Sequence, residues 1–139
     1  MTKIDGHQAS QTEAPVGAPN RYESLLGNLS DVGPLHAGID IGSVSCKVAV
    51  LDGGKGICYL AYRRTQGRPM ETARAMLAEL FGRVAPDRIA SMVGTGSAGR
   101  KLCELLGIDF INELICQAAS IRHFHPEAQT LIEMGGQDS

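Results

Sequence analysis

The sequence lacks a dominant charge: 13 Lys and Arg stand against 15 Asp and Glu, a formal net charge of −2. That balance leaves no electrostatic case for nucleic acid or for an anionic membrane as partner. No apolar run approaches the ~20 residues that a membrane-spanning helix needs. Residues 1–20 lack the apolar stretch of a signal peptide. The four cysteines, Cys46, Cys58, Cys103 and Cys116, contain no CxxC pair, which leaves a zinc knuckle or a thioredoxin-type motif unsupported. Reduced thiols in a cytoplasmic protein are the expectation. Tryptophan is absent and aromatics make up only 4% of the residues. What is present is glycine, 17 in all, clustered in short runs between apolar segments, so the glycines read as turns. At 139 residues and 43% hydrophobic, the chain has enough material for one core.

Residues 1–33 read as a disordered or weakly ordered segment, with at most a weak amphipathic turn in RYESLLGNLS (21–30). From residue 34 the pattern becomes regular. HAGIDIG (36–42), CKVAVLD (46–52) and ICYLAYRR (57–64) read as three strands. The short connections between them, one of them the hairpin-type DGGKG (52–56), make them antiparallel neighbours. Ala73, Met76, Leu77, Leu80, Phe81 and Val84 fall at helical spacing, with Pro69 near the first turn and Pro86 beyond the end. RIASMVGTG (88–96) is a fourth strand and SAGRKLCELLG a short helix capped by Gly107. IDFIN is a fifth strand. ELICQAASIRHF is a helix with Asn112 as N-cap, and QTLIEM a sixth strand.

The order β-β-β-α-β-α-β-α is not that of a dinucleotide-binding fold. It is the order of a ribonuclease H-like, actin-like α/β repeat with a mixed sheet, here spanning 34–127. Residues 128–139 read as the start of a second, truncated repeat. The chain stops just after a glycine pair that follows an apolar strand, so a piece of a longer protein is the expectation.

Two stretches carry candidate chemistry. In GIDIGSVSCK, Gly42 permits close approach of the backbone and Ser43 adds a hydroxyl. The turn's N–H groups can form an anion nest, and Lys47 can supply a point charge to phosphate oxygens. Asp40 can hold Mg²⁺ through water. This is not a Walker A loop, because Lys47 leads into a strand rather than a helix. An ordinary hairpin with a solvated lysine is the competing reading. In LIEMGGQDS, Gly135, Gly136 and Gln137 can form a second turn of the same kind, facing the first across a cleft. GTGSAG (94–99) matches G-x-G-x-x-G, but no acid stands where the dinucleotide fingerprint needs one. Its glycines read as tight helix–strand packing at the edge of a cleft. His123 and His125 read as a surface turn, Cys103 and Cys116 as buried thiols. Arg63, Arg64, Arg68, Arg74, Arg83 and Arg88 read as solvated charges.

GIDIGSVSCKVAVLD, VGTGSAGRK, the NELICQAAS helix and TLIEMGGQDS, in this order and spacing, resemble the BadF/BadG-type ATPases. These are the activators, or activases, of 2-hydroxyacyl-CoA dehydratases and benzoyl-CoA reductases, within the actin, Hsp70 and sugar-kinase superfamily. The resemblance spans residues 36–139. It implies an ATPase that acts as a homodimer, carries a [4Fe-4S] cluster and passes a low-potential electron to a dehydratase or reductase component. It implies ATP and Mg²⁺ as cofactors, with Gly42, Ser43, Lys47, Gly135, Gly136 and Gln137 on the phosphates and Asp40 on the metal. It implies no iron–sulfur ligand in this chain, since the family's cluster cysteines follow the GGQD segment. The family often has aspartate where Glu133 stands. The forms TGSAG and IEMGGQDS look more like the large fused activases than the small separate ones. A sugar or acetate-type kinase of the same superfamily and a non-catalytic partner-binding module are the alternatives.

Overall fold

The computed structural model describes residues 21–25, residue 29 and residues 33–132. Its strands are β1 (Arg21–Leu25), β2 (Leu35–Ile41), β3 (Ser45–Leu51), β4 (Ile57–Arg64), β5 (Ile89–Thr95) and β6 (Asp109–Phe110). The helices are α1 (Pro69–Arg83), α2 (Gly99–Leu106) and α3 (Glu113–Phe124). They build one mixed sheet in the order β1-β4-β3-β2-β5-β6. β1 to β4 pair antiparallel, and β5 joins β2 and β6 in parallel. This is the expected ribonuclease H-like arrangement of antiparallel strands followed by helix-linked ones.

Strand alternation decides which residues meet the helices. Leu35, Ala37, Ile39 and Ile41 of β2 and Cys46, Val48 and Val50 of β3 point to one face and are buried. α1 lies on that face and buries Ala73, Met76, Leu77 and Leu80. The helix starts with Pro69 at its first turn, and the Thr72 hydroxyl donates to the Arg68 carbonyl at 2.9 Å. Phe81, expected in the core, is 36% exposed at the margin of the buried stripe. The opposite sheet face carries Gly38, Asp40, Lys47, Ala49, Leu60, Tyr62, Val93 and Thr95. It lies beneath α3, which buries none of its residues fully.

Several local expectations hold. The Asn112 side chain accepts a hydrogen bond from the Leu114 amide at 2.9 Å and caps α3. Gly107 closes α2 in the left-handed conformation, φ +66°. The Asp52 carboxylate accepts from the Gly54 and Gly56 amides, both at 2.8 Å, and sets the β3–β4 turn.

Others are corrected. Residues 21–25 form β1 rather than an amphipathic turn, because β4 offers a free edge for the full Arg21–Leu25 register. Residues 129–132, the described part of QTLIEM, form no strand, and no described strand stands beside them to satisfy their N–H and C=O groups. Arg63 is not a solvated charge: its guanidinium reaches both Glu79 oxygens on α1, at 2.9 and 2.8 Å. Arg88 donates to the Leu29 carbonyl at 3.2 Å. Cys103 is buried, but Cys116 is only half-buried.

Candidate functional site

The site forms where β2, β3 and β5 end side by side. Asp40 and Lys47 are cross-strand partners in the β2–β3 ladder, and Asp40 is level with Thr95 across the parallel β2–β5 pair. Both Asp40 and Lys47 sit on the face away from α1. Lys47 Nζ approaches Asp40 Oδ2 to 2.7 Å, with the side chains 51% and 21% exposed. A pair this exposed contributes on the order of 0–1 kcal/mol to stability. Its value lies in placing an ammonium and a carboxylate at one mouth. Lys47 is half-exposed and paired with Asp40.

The turn between the strands is tight. The Gly42 amide donates to the Ser45 carbonyl at 2.9 Å, and a Cβ at Gly42 would stand 3.1 Å from that carbonyl oxygen. A side chain at Gly42 would thus crowd the hairpin's own carbonyl, and glycine leaves the backbone approachable. Ser43 and Val44 are exposed at its tip.

The GTGSAG turn packs directly against this hairpin. The Ala98 amide donates to the Ile41 carbonyl at 2.9 Å. Gly96 has φ +92°, and a Cβ there would overlap Asp40 Oδ1 and the Ile41 carbonyl. Gly94 faces the Cys103 sulfur of α2 and Gly99 the Phe110 ring, so these two glycines serve helix–strand packing as expected.

A cavity of about 640 Å³ opens between this sheet face and α3. Asp40, Lys47, Gly94 and Thr95 line it from the sheet, and Glu113, Cys116, Gln117 and Ser120 from α3. Asp40 Oδ1, Thr95 Oγ1 and Gln117 Oε1 are buried without a hydrogen-bond partner. Such atoms carry a desolvation cost of about 1–3 kcal/mol each unless a ligand or water meets them. All three belong to residues that line the one cavity. Asp40 is thereby divided: Oδ2 is held by Lys47, and Oδ1 is buried beside Gly96 without a partner.

Thr95, Glu113 and Gln117 were not among the sequence-derived candidates. A signal existed, because Glu113, Cys116, Gln117 and Ser120 follow the i, i+3, i+4, i+7 spacing of one helix face. Gly135, Gly136 and Gln137, the proposed second turn, lie outside the described residues, as does Glu133. Among the described residues no group of three or more His, Cys, Asp or Glu side chains could hold a metal ion on its own. The four cysteines are dispersed and do not fit a cluster. His123 and His125 are both exposed around the end of α3.

Two thiols have perturbed acidity. Burial, reinforced by the Asp40 charge and opposed by Lys47 and Arg63, pushes the Cys46 thiol up to about 11. Burial likewise raises Cys103. Both are therefore neutral at physiological pH and unsuited to nucleophilic work.

No protein-family model matches the chain, and no curated protein matches it in sequence. Among the solved structures that match in fold and, at lower level, in sequence are two dehydratase components. One is component A of the (R)-2-hydroxyglutaryl-CoA dehydratase of Acidaminococcus fermentans, with TM-score 0.67 and 25% identity over 76% of this chain. The other is the activator of the 2-hydroxyisocaproyl-CoA dehydratase from Clostridium difficile, with ADPNP bound, TM-score 0.60 and 29% identity over 73% of this chain. The chain spans 40% and 38% of their respective lengths. Both neighbours are BadF/BadG-type activators, the group that the sequence motifs resemble.

Proposed function

We propose that this chain is the first repeat of an ATP-dependent activator. Its task is to couple ATP hydrolysis to low-potential electron transfer into a 2-hydroxyacyl-CoA dehydratase or benzoyl-CoA reductase. The observation that carries the reading is the Asp40–Lys47 pair at the mouth of the Gly42–Ser43 hairpin, with Asp40 Oδ1 unpartnered beside Gly96. An ammonium, a turn of backbone amides and a carboxylate with one free oxygen are the parts that bound Mg-ATP requires. The neighbour that carries ADPNP supports the same assignment.

In this reading the Gly42–Ser43 turn, through the amides of its tip that follow the internally bonded Gly42 N–H, holds phosphate oxygens together with Lys47, and Gly135, Gly136 and Gln137 supply the facing turn. Asp40 would hold Mg²⁺ through water, and Glu113, which lines the same cavity, would be a second carboxylate. The metal, when bound, offsets the charge that develops on the transferred phosphoryl group. The chain's own residues orient the nucleotide and, under α3, limit access of water. Hydrolysis, the iron–sulfur cluster and the adenine contacts are assigned to the whole activator, a cytoplasmic homodimer; this chain spans 40% and 38% of the two neighbours' lengths.

The test is to extend the reading frame past Ser139, express the product without air and record its visible spectrum. Iron–sulfur absorption that responds to reduction and to Mg-ATP is expected. A colourless protein that binds ATP would remove the electron-transfer role.

A further inference from the structure

Thr65 is buried, 2% exposed, and is the only polar residue among the fully buried positions described. It follows β4 directly and sits beneath the β2–β3 turn. Its hydroxyl donates to the Ser43 carbonyl, and its amide donates to the Val44 carbonyl at 2.9 Å. Its own carbonyl accepts from the Arg68 amide at 2.9 Å and lies 3.5 Å from the Thr72 hydroxyl, at the start of α1. One residue therefore ties the tip of the hairpin to the β4–α1 junction. The turn itself contributes only the Gly42 to Ser45 hydrogen bond.

Peptide planarity gives this tie a direction. In a trans peptide the C=O and the following N–H point opposite ways. With the Ser43 and Val44 carbonyls both bonded to Thr65, the N–H groups of Val44 and Ser45 are both turned away from it. Adjacent N–H groups turned the same way are what an anion nest consists of.

We propose that Thr65 is a positioning residue that presets the phosphate-binding amides of the hairpin from below, without touching the ligand. The inference rests on the reading of residues 42–47 as a phosphate site. A side chain that merely filled space would be replaceable by valine, which has the same shape. A side chain that orients two peptides would not be, and serine would preserve its function.

The experiment uses the ¹⁵N-labelled chain titrated with Mg-ATP, with the Val44 and Ser45 amide signals followed in wild type, Thr65→Val and Thr65→Ser. Thermal midpoints are recorded in parallel. Loss of one oriented hydrogen bond predicts about tenfold weaker binding in Thr65→Val and affinity within about twofold of wild type in Thr65→Ser. Equal affinity in Thr65→Val and wild type overturns the role of Thr65 and leaves the phosphate reading intact. No response of these amides in wild type overturns the phosphate reading, and the inference with it. Should Thr65→Val not fold, hydrogen exchange of the wild-type chain decides the matter. Rapid exchange at Val44, slowed by Mg-ATP, supports the outward orientation, and a Val44 amide already protected without ligand refutes it.

Discussion

Replacing Gly96 by alanine perturbs the junction on which the site depends. The residue sits at φ +92°, where an L side chain is strained by roughly 1–2 kcal/mol. The added Cβ would also stand 2.5 Å from the Ile41 carbonyl oxygen and 2.6 Å from its carbon, besides overlapping Asp40 Oδ1. The carboxylate can rotate, but the Ile41 backbone is fixed by the β2 ladder and by the Ala98 amide. Moving it adds a strain of similar size, so the total is about 2–4 kcal/mol. That is a large share of a typical domain's 5–15 kcal/mol. Urea unfolding followed by far-ultraviolet circular dichroism measures it, since the chain has no tryptophan to report. Gly82→Ala is the control: within α1, with nothing near its Cβ position, it should stabilise by about 0.5–1 kcal/mol. A Gly96→Ala midpoint equivalent to less than about 0.5 kcal/mol of change would refute the reasoning, because surface substitutions alone fall in that range.

Three further outcomes follow from the same geometry. The Cys46 thiol, raised to about 11 from 9.0 in the unfolded chain, contributes stability that is complete below pH 9 and is lost as pH rises toward 11. The loss amounts to roughly 2–3 kcal/mol, so stability measured through that window should fall less steeply in Cys46→Ala than in wild type. Asn112→Ala removes the cap of α3 and should cost about 1 kcal/mol in denaturant titration, with the amide of Leu114 losing protection from exchange. Lys47→Met should change stability by less than about 1 kcal/mol, because the pair with Asp40 is half-exposed, yet weaken Mg-ATP binding by tenfold or more.

The sequence declared the elements whose signals are local. β2, β3 and β4 announce themselves by alternation and by the DGGKG turn, and α3 by Asn112 followed by a helical face. β1 does not, because its strand state depends on the free edge of β4 far along the chain. Arg63 reads as a surface charge until α1 brings Glu79 onto it, 16 positions away. The same holds at the site. Asp40 and Lys47 were visible because they flank the Gly42–Ser43 turn, whereas Thr65 stands in no motif and Thr95 is one letter of a glycine motif. Their roles arise where the hairpin tip meets the β4–α1 junction and where the GTGSAG turn meets β2. No pattern in a single segment encodes those meetings.

The central claim is that the hairpin of residues 40–47 holds phosphate. Titrating the ¹⁵N-labelled chain with Mg-ATP and mapping every amide that shifts tests it most directly, with Lys47→Met alongside. The account predicts shifts concentrated at Asp40, Gly42–Ser45 and the facing Thr95–Ala98 turn, and strongly reduced in Lys47→Met. Shifts confined to other parts of the sheet, or a Lys47→Met chain that responds like wild type, would contradict it.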